Sequence, residues 1–160
     1  MKRMLKRIGF SVLVILVAIQ VIRPARTNPV VDETRTIQAN TRMNPEVAAV
    51  LERACYDCHS SRTTWPWYSQ IAPVSWLLVS DVNDGRQNLS LSDWGTYDPQ
   101  KKASKLQAIC EEIEKDDMPL KSYLVLHPQA KLTGSDKQLL CDWAKQEGKR
   151  VLGSQANGSQ

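Results

Sequence analysis

Two cysteines and a histidine in the first half of the chain constrain its fold more than any other feature. The segment Cys55-Tyr56-Asp57-Cys58-His59 has the pattern C-x-x-C-H. This pattern is typical of covalent attachment of c-type haem. The two thiols add to the two vinyl groups of the haem, and the imidazole of His59 binds the iron as its proximal ligand. The motif therefore predicts a fold built around one flat, largely apolar cofactor.

Two other interpretations of the cysteine pair are open from the sequence. A C-x-x-C redox pair normally lies in a thioredoxin-like context, and no strand-rich pattern occurs nearby. A zinc site would need two further ligands from Cys110, His127 and Cys141. Those three residues occur singly, without the paired spacing of zinc ribbons or fingers. The sequence favours one haem c, attached through Cys55 and Cys58.

The first 23 residues differ in character from the rest of the chain. Four basic residues come before the apolar run 8–22, and Arg23-Pro24 follows it: Lys2, Arg3, Lys6 and Arg7. A basic start followed by an apolar run is typical of a secretory signal. No small-x-small cleavage site follows, so residues 1–23 are predicted to remain as a signal anchor. The basic cluster places the N-terminus in the cytoplasm, which predicts a single-pass protein of the bacterial cytoplasmic membrane with its domain in the periplasm.

The charge of the chain is consistent with a tethered domain. The whole chain has 21 basic and 17 acidic residues and a net charge of +4. Five of the positive charges lie in the predicted anchor, so residues 24–160 have 16 basic and 17 acidic residues and a net charge of −1. The calculated pI of 8.9 is therefore no argument for nucleic-acid binding. The predicted partners are the cytoplasmic membrane and a periplasmic or membrane redox protein.

The domain is predicted to span residues 44–150. Residues 24–43 are rich in Pro, Thr, Asn and Arg without periodicity, which is typical of a linker. Asn44-Pro45-Glu46 then predicts a helix start, with a capping Asn and Pro at the first helical position. Apolar residues recur at helical spacing from there into the motif: Val47, Val50, Leu51, Ala54, Cys55 and Cys58. The first helix should carry its buried face directly to the haem.

Aromatic residues are concentrated just after the histidine. We predict that at least one of Trp65, Trp67 and Tyr68 packs against the haem, with indole N–H or phenol O–H groups bonded to its propionates. Ordinary core aromatics are the alternative. A helix is predicted over 73–83 and should end at Asp84-Gly85. Arg86, in the loop expected next, is either a propionate partner or a solvated arginine.

Several of these segments together resemble the bacterial haem-binding domain family, which consists of small membrane-anchored proteins similar to cytochrome c. The resemblance covers residues 28–145. It rests on Cys55–His59, on the Trp-rich segments 64–68 and 71–76, on Gly85-Arg86 with Trp94, and on Met118-Pro119 and His127-Pro128. It implies c-type haem binding on a class I cytochrome c fold.

The resemblance to class I cytochromes c also implies a distal ligand. Those proteins use a methionine, often followed by proline, on a loop after the third helix. Here Asp98-Pro99 predicts a helix start, and Met118-Pro119 follows the helix. Met118 is therefore the predicted sixth ligand. The alternatives are His127 as the ligand, an open site, and a methionine that only fills a gap in the core.

The C-terminal part is predicted to contain one more helix. Thr133-Gly134-Ser135-Asp136 resembles a capping box, and Gly148 is the expected end of the helix. Residues 151–160 are predicted to be a disordered tail. Cys110 and Cys141 are left as either a disulfide or two separate buried thiols, both of which an oxidising compartment permits.

The predicted fold is all-α, a class I cytochrome c-like domain of about four helices around one covalent haem, with an N-terminal transmembrane helix. The favoured function is single-electron transfer by an iron held between His59 and Met118, which makes the protein a carrier more than an enzyme. Two alternatives need an open or displaceable distal site. One is a peroxidase-like enzyme with His127 as its acid–base group, and the other is a haem-based gas or redox sensor.

Overall fold

The computed structural model describes the backbone of residues 1–158 and the side chains of residues 1–154. Within that range every regular element is helical and no strand occurs. The all-α prediction is therefore confirmed. The described residues contain eight α-helices, some of only one turn, which are numbered in chain order below.

Helix α1 (Lys2–Ala18) contains the apolar run at the N-terminus and continues into a 3-10 turn, Ile19–Val21. An 18-residue window of this 20-residue segment has a mean hydropathy of 2.0, and none of that window is buried against the rest of the chain. A helix of this length extends for about 30 Å, which is the thickness of a bilayer's hydrocarbon core. The helix is thus long and apolar enough to span a membrane.

Part of the predicted linker 24–43 belongs to the domain. It contains a 3-10 turn, Glu33–Arg35, and the one-turn helix α2 (Ile37–Asn40). The Ile37 side chain is fully buried, and its N–H donates to the Leu91 carbonyl at 2.8 Å. A single buried isoleucine produces no hydrophobic period, which is why the pattern of the sequence did not reveal it.

Helix α3 (Pro45–Ala54) begins as predicted. The Asn44 side chain accepts a hydrogen bond from the Val47 N–H at 2.8 Å, and Pro45 occupies the first helical position. Three side chains of its apolar face, Val47, Val50 and Leu51, are buried. The one-turn helix α4 (Tyr56–His59) follows directly, so the apolar face of α3 leads into the C-x-x-C-H motif.

Helix α5 (Val74–Asn88) does not end at Asp84-Gly85, where its end was predicted. Gly85 is helical, and a Cβ built on it would lie 2.6 Å from the carbonyl oxygen of Cys58. The glycine therefore allows α5 to lie directly against the backbone of α4. A glycine required for close approach of two helices looks the same in sequence as one that ends a helix.

Substituting Gly85→Ala should destabilise the protein by roughly 1–3 kcal/mol. The new methyl group would overlap the backbone carbonyl of Cys58, which cannot rotate away as a side chain could. Gly148→Ala is the matched control. Gly148 is also helical, but an added Cβ has nothing within 4 Å, so this substitution should stabilise by about 0.5–1 kcal/mol through helix propensity. Urea unfolding followed by circular dichroism measures both effects, and equal changes in the two variants would contradict the close approach at Gly85.

Helices α6 (Pro99–Glu114) and α8 (Gly134–Gly158) pack closely along each other, and the one-turn helix α7 (Lys121–Leu124) lies between them in the chain. Asp98 caps α6 as predicted by accepting from the Lys101 N–H at 2.8 Å. The capping box of α8 is also confirmed. The Asp136 carboxylate accepts from the Thr133 N–H at 2.8 Å, and the Thr133 hydroxyl accepts from the Asp136 N–H at 3.1 Å.

The predicted end of α8 is wrong. The helix continues through Gly148 to Gly158, and residues 159–160 of the predicted tail lie outside the described residues. Two contacts hold the extension against the domain. Val151 is buried, and the Arg150 guanidinium pairs with Glu147 and donates to the Asn40 carbonyl.

A disulfide joins Cys110 of α6 to Cys141 of α8, with 4.8 Å between the Cα atoms. Of the two alternatives left open by the sequence, the bridge is the one observed. The pairing also removes two of the three candidates for the two further ligands that a zinc site at Cys55 and Cys58 would require.

Replacing both Cys110 and Cys141 with alanine should lower the free energy of unfolding by about 3–4 kcal/mol, because the bridge closes a loop with a sequence separation of 31 residues. Haem attachment should be unchanged, since neither side chain lies in the cavity lined by Cys55. Urea unfolding measures the first effect, and haem-stained denaturing gels measure the second. An unchanged unfolding midpoint would show that the bridge does not contribute to stability.

Candidate haem site

The C-x-x-C-H motif forms a tight helical turn at the junction of α3 and α4. The Cys55 N–H still bonds to Leu51 of α3, at 2.9 Å, while the Cys55 carbonyl accepts from the His59 N–H, also at 2.9 Å. Cys55 itself has a non-helical backbone with φ −123°. This turn places the side chains of Cys55, Cys58 and His59 on the wall of one cavity.

The cavity has two lobes, with volumes of about 270 and 370 Å³. Both lobes are bordered by the same five residues, Cys55, His59, Asn88, Ile113 and Met118. The rest of the lining comes mainly from α3, α5, α6 and the segment after Met118, and it is largely apolar. Volumes of this size are within the range of cofactor pockets.

Hydrogen bonds to α5 fix the orientation of the His59 ring. Its Nδ1 lies 2.9 Å from the Gly85 carbonyl oxygen and 3.1 Å from that of Leu89. Carbonyl oxygens can only accept, so Nδ1 carries the proton and Nε2 keeps its lone pair. Burial lowers the pKa of His59 and so favours the neutral ring. A neutral imidazole with one nitrogen held by a carbonyl is the usual state of a metal-binding histidine.

The two motif cysteines are free thiols in this structure. Burial raises the pKa of Cys55 to about 12, and burial followed by the charge of Asp57 raises the pKa of Cys58 to about 11. Both side chains are therefore uncharged thiols at neutral pH. They border a largely apolar cavity next to His59, where thiols predicted to bond to haem vinyl groups would have to lie.

Met118 lies in the same cavity as His59, although the two residues are 59 positions apart in the chain. The backbone turns sharply after α6, where the Glu112 carbonyl accepts hydrogen bonds from the N–H groups of Asp117 and Met118. The thioether side chain is half-buried and packs against the core. The structure thus brings together the two residues that were predicted as axial ligands.

His127, the alternative distal ligand, is not among the residues lining either lobe. Its ring stacks on that of Tyr123, with 4.0 Å between the centroids, and its Nδ1 lies 3.2 Å from the Tyr123 carbonyl oxygen. The Tyr68 hydroxyl lies 3.3 Å from Nε2. His127 therefore forms its hydrogen bonds with residues of the fold.

The aromatic segment and Arg86 are outside the cavity. Trp65, Trp67, Tyr68 and Arg86 do not occur among the residues lining the two lobes. Trp67 is 73% exposed. The structure therefore does not place these three aromatic residues on the walls of the two lobes, although Tyr68 and Cys58 border a separate small cavity together.

Arg86 is in the last turn of α5 and not in a loop, so that part of its prediction is wrong. Its guanidinium donates to the carbonyls of Ser60 and Thr27 and to the Asn28 side chain, each at 2.8 Å. Arg86 thus joins the segment after the anchor to the segment after the haem motif.

Some site residues were not found from the sequence. Asn88 borders both lobes, and Tyr123 borders the smaller one while its hydroxyl donates to Asp57 of the motif at 2.7 Å. Burial and then this hydrogen bond raise the pKa of Tyr123. In the sequence, Asp57 is one of the two variable positions of C-x-x-C-H, so the motif does not predict a role for it. Tyr123 lies in the single turn α7, which is too short for any periodicity.

The chemistry of these side chains fits a haem. Two thiols, an imidazole with a free Nε2 and a thioether border one largely apolar cavity. Lys105 is the only lysine or arginine among the lining residues of the two lobes in the described range. It could provide one positive charge for a haem propionate.

Comparison with protein families agrees with this chemistry. A family model described as "Haem-binding domain" matches residues 14–146. The chain belongs to the haem-binding domain family. The match includes every residue proposed above to contact the cofactor, and it begins inside α1, upstream of the predicted start at residue 28. Comparisons of this haem-binding domain protein with curated proteins and with solved structures give no match.

Proposed function

We propose that this haem-binding domain protein is a membrane-anchored c-type cytochrome that carries single electrons on the periplasmic side of the cytoplasmic membrane. One observation supports the proposal most strongly. Cys55, Cys58, His59 and Met118 border the same cavity, although they come from two distant parts of the chain.

Cys55 and Cys58 would hold the haem by thioether bonds. Their spacing of one helical turn suits the two vinyl groups, and their position beside His59 sets which face of the haem meets the imidazole. The haem supplies a single iron that changes between two oxidation states. The protein supplies burial, orientation and ligands.

His59 and Met118 would occupy the two axial positions. The Gly85 and Leu89 carbonyls keep the His59 proton on Nδ1, so Nε2 would be available to the iron as a neutral donor. A His/Met pair raises the reduction potential, and an iron with both axial positions filled has no position for a substrate. These features favour electron transfer over the peroxidase-like and sensor alternatives. The position of His127 outside the cavity also gives no support to an acid–base role for it.

The anchor and the thiol chemistry together indicate the compartment. Helix α1 has the length and hydropathy of a membrane span, with four basic residues before its apolar part. The disulfide between α6 and α8 agrees with an oxidising compartment. The redox partner would then be a periplasmic or membrane protein.

A potentiometric titration of the purified full-length protein in detergent tests the electron-carrier function. We expect one reversible transition that follows a one-electron Nernst curve, with low-spin spectra at both ends. Hydrogen peroxide added to the reduced protein should not be turned over repeatedly. Rapid catalytic consumption of peroxide would favour the enzymatic alternative.

A further inference from the structure

The domain carries an exposed apolar patch beside the end of the anchor helix. It consists of four residues, Trp67, Ile71, Val74 and Leu77, whose side chains are 73%, 45%, 42% and 66% exposed. Val74 and Leu77 are separated by one turn on the same face of α5. Nothing in the described part of the chain covers this patch.

The patch is held next to the anchor by hydrogen bonds. The Gln20 side chain donates to the Ala72 carbonyl and accepts from the Ala72 N–H, both at 3.0 Å. The Trp76 indole N–H donates to the Ile22 carbonyl at 2.8 Å. The end of the apolar helix is therefore attached to the same short segment that presents the exposed side chains.

A third contact continues the attachment beyond the helix. The Arg26 guanidinium donates to the Ser69 carbonyl at 2.8 Å. Residues 20–26 thus run along segment 69–76 and do not form a free spacer. The domain cannot rotate freely about its anchor, so one side of it must face the membrane.

We propose that the patch of Trp67, Ile71, Val74 and Leu77 lies in the interfacial layer of the membrane and fixes the orientation of the haem domain. The proposal rests on α1 being a membrane anchor. Residues attached to the end of a spanning helix lie at the depth of the lipid headgroups, where tryptophan and exposed aliphatic side chains are favoured. Arg23, which is exposed at the same point, suits the phosphates of anionic lipids.

Contact of this patch with the membrane would also fix the position of the haem cavity relative to the membrane surface. Asp81, Asp84 and Asn88 border the cavity and follow Val74 and Leu77 along one stripe of α5. The cavity begins one turn beyond Leu77. The mouth of the cavity would therefore stay close to the membrane surface, within reach of a membrane-bound redox partner.

Photo-crosslinking in the full-length protein tests the proposal. Benzoylphenylalanine is placed at Leu77 or, in a second variant, at Trp67, and the protein is reconstituted in vesicles of phosphatidylethanolamine and phosphatidylglycerol. Leu13 in α1 serves as the anchor position, and Leu152 of α8, which is 46% exposed, serves as the matched control. All four positions are exposed, so the label should not disturb folding, and haem content and circular dichroism check this.

We expect lipid adducts at Leu77 and Trp67 in yields comparable with that at Leu13, and only background at Leu152. Adducts at Leu13 without adducts at Leu77 and Trp67 would overturn the docking while leaving the anchor intact. Absence of adducts at Leu13 would instead show that α1 is not in the bilayer. Crosslinks from Leu77 to a second copy of the protein in place of lipid would also overturn the proposal.

Discussion

Replacing both Cys55 and Cys58 with alanine is expected to abolish covalent haem attachment completely. Both thiols border the cavity beside His59, and no other free cysteine is present in the described residues. Haem staining of a denaturing gel should show a band for the natural protein and none for the double variant. Each single variant should keep one thioether bond at most, with one vinyl group left intact in the pyridine haemochrome spectrum.

The matched control for this experiment is the double substitution of Cys110 and Cys141 by alanine. It removes the same number of sulfur atoms, but from the disulfide between α6 and α8. This control should keep the haem stain at the level of the natural protein. Retention of the stain after substitution of Cys55 and Cys58 would contradict thioether attachment. It would mean that the family's haem is held here by ligands and packing alone.

Replacing Met118 with leucine is expected to remove the distal ligand while keeping the volume of the side chain. The reduction potential should fall by roughly 100 mV or more, because the thioether stabilises the reduced iron. The reduced variant should also bind carbon monoxide, since one axial position becomes open. Potentiometric titration and the absorption spectrum under carbon monoxide measure the two effects.

Two further variants test whether a fall in the reduction potential comes from loss of the distal ligand or from a change in core packing. Met43→Leu removes another partly buried methionine that packs against the same core, and it should leave the potential unchanged. His127→Ala removes the alternative ligand and should also leave it unchanged. If His127→Ala produced the fall in potential and Met118→Leu did not, His127 would be the distal ligand.

The features that could be predicted from the sequence have short-range causes. Helices begin at Asn44-Pro45, Asp98-Pro99 and Thr133–Asp136 because a polar side chain in each segment bonds to a backbone N–H three residues away. The haem motif is likewise local. Met118 was found differently, through the resemblance to cytochromes c, and the structure brings it to the cavity of His59.

The features that were missed depend on contacts across the fold. Gly85 continues a helix because the backbone of Cys58 lies against it, and the extension of α8 is held by the burial of Val151. Ile37 is a core residue inside a segment with the composition of a linker. Arg86 forms hydrogen bonds to residues 26 and 59 positions away. In each case the residue that makes the contact is far away in the chain. Composition and periodicity are local properties of the sequence, so they could not predict these contacts.

The axial ligation of the iron is the central claim, and the absorption spectrum of the purified oxidised full-length protein tests it most directly. If His59 and Met118 both bind the iron, the spectrum is low-spin and contains the weak long-wavelength band produced by sulfur–iron charge transfer. Carbon monoxide added to the reduced protein should then leave the spectrum of the reduced protein unchanged. A high-spin spectrum without that band, together with rapid binding of carbon monoxide, would contradict the assignment of this protein as an electron carrier.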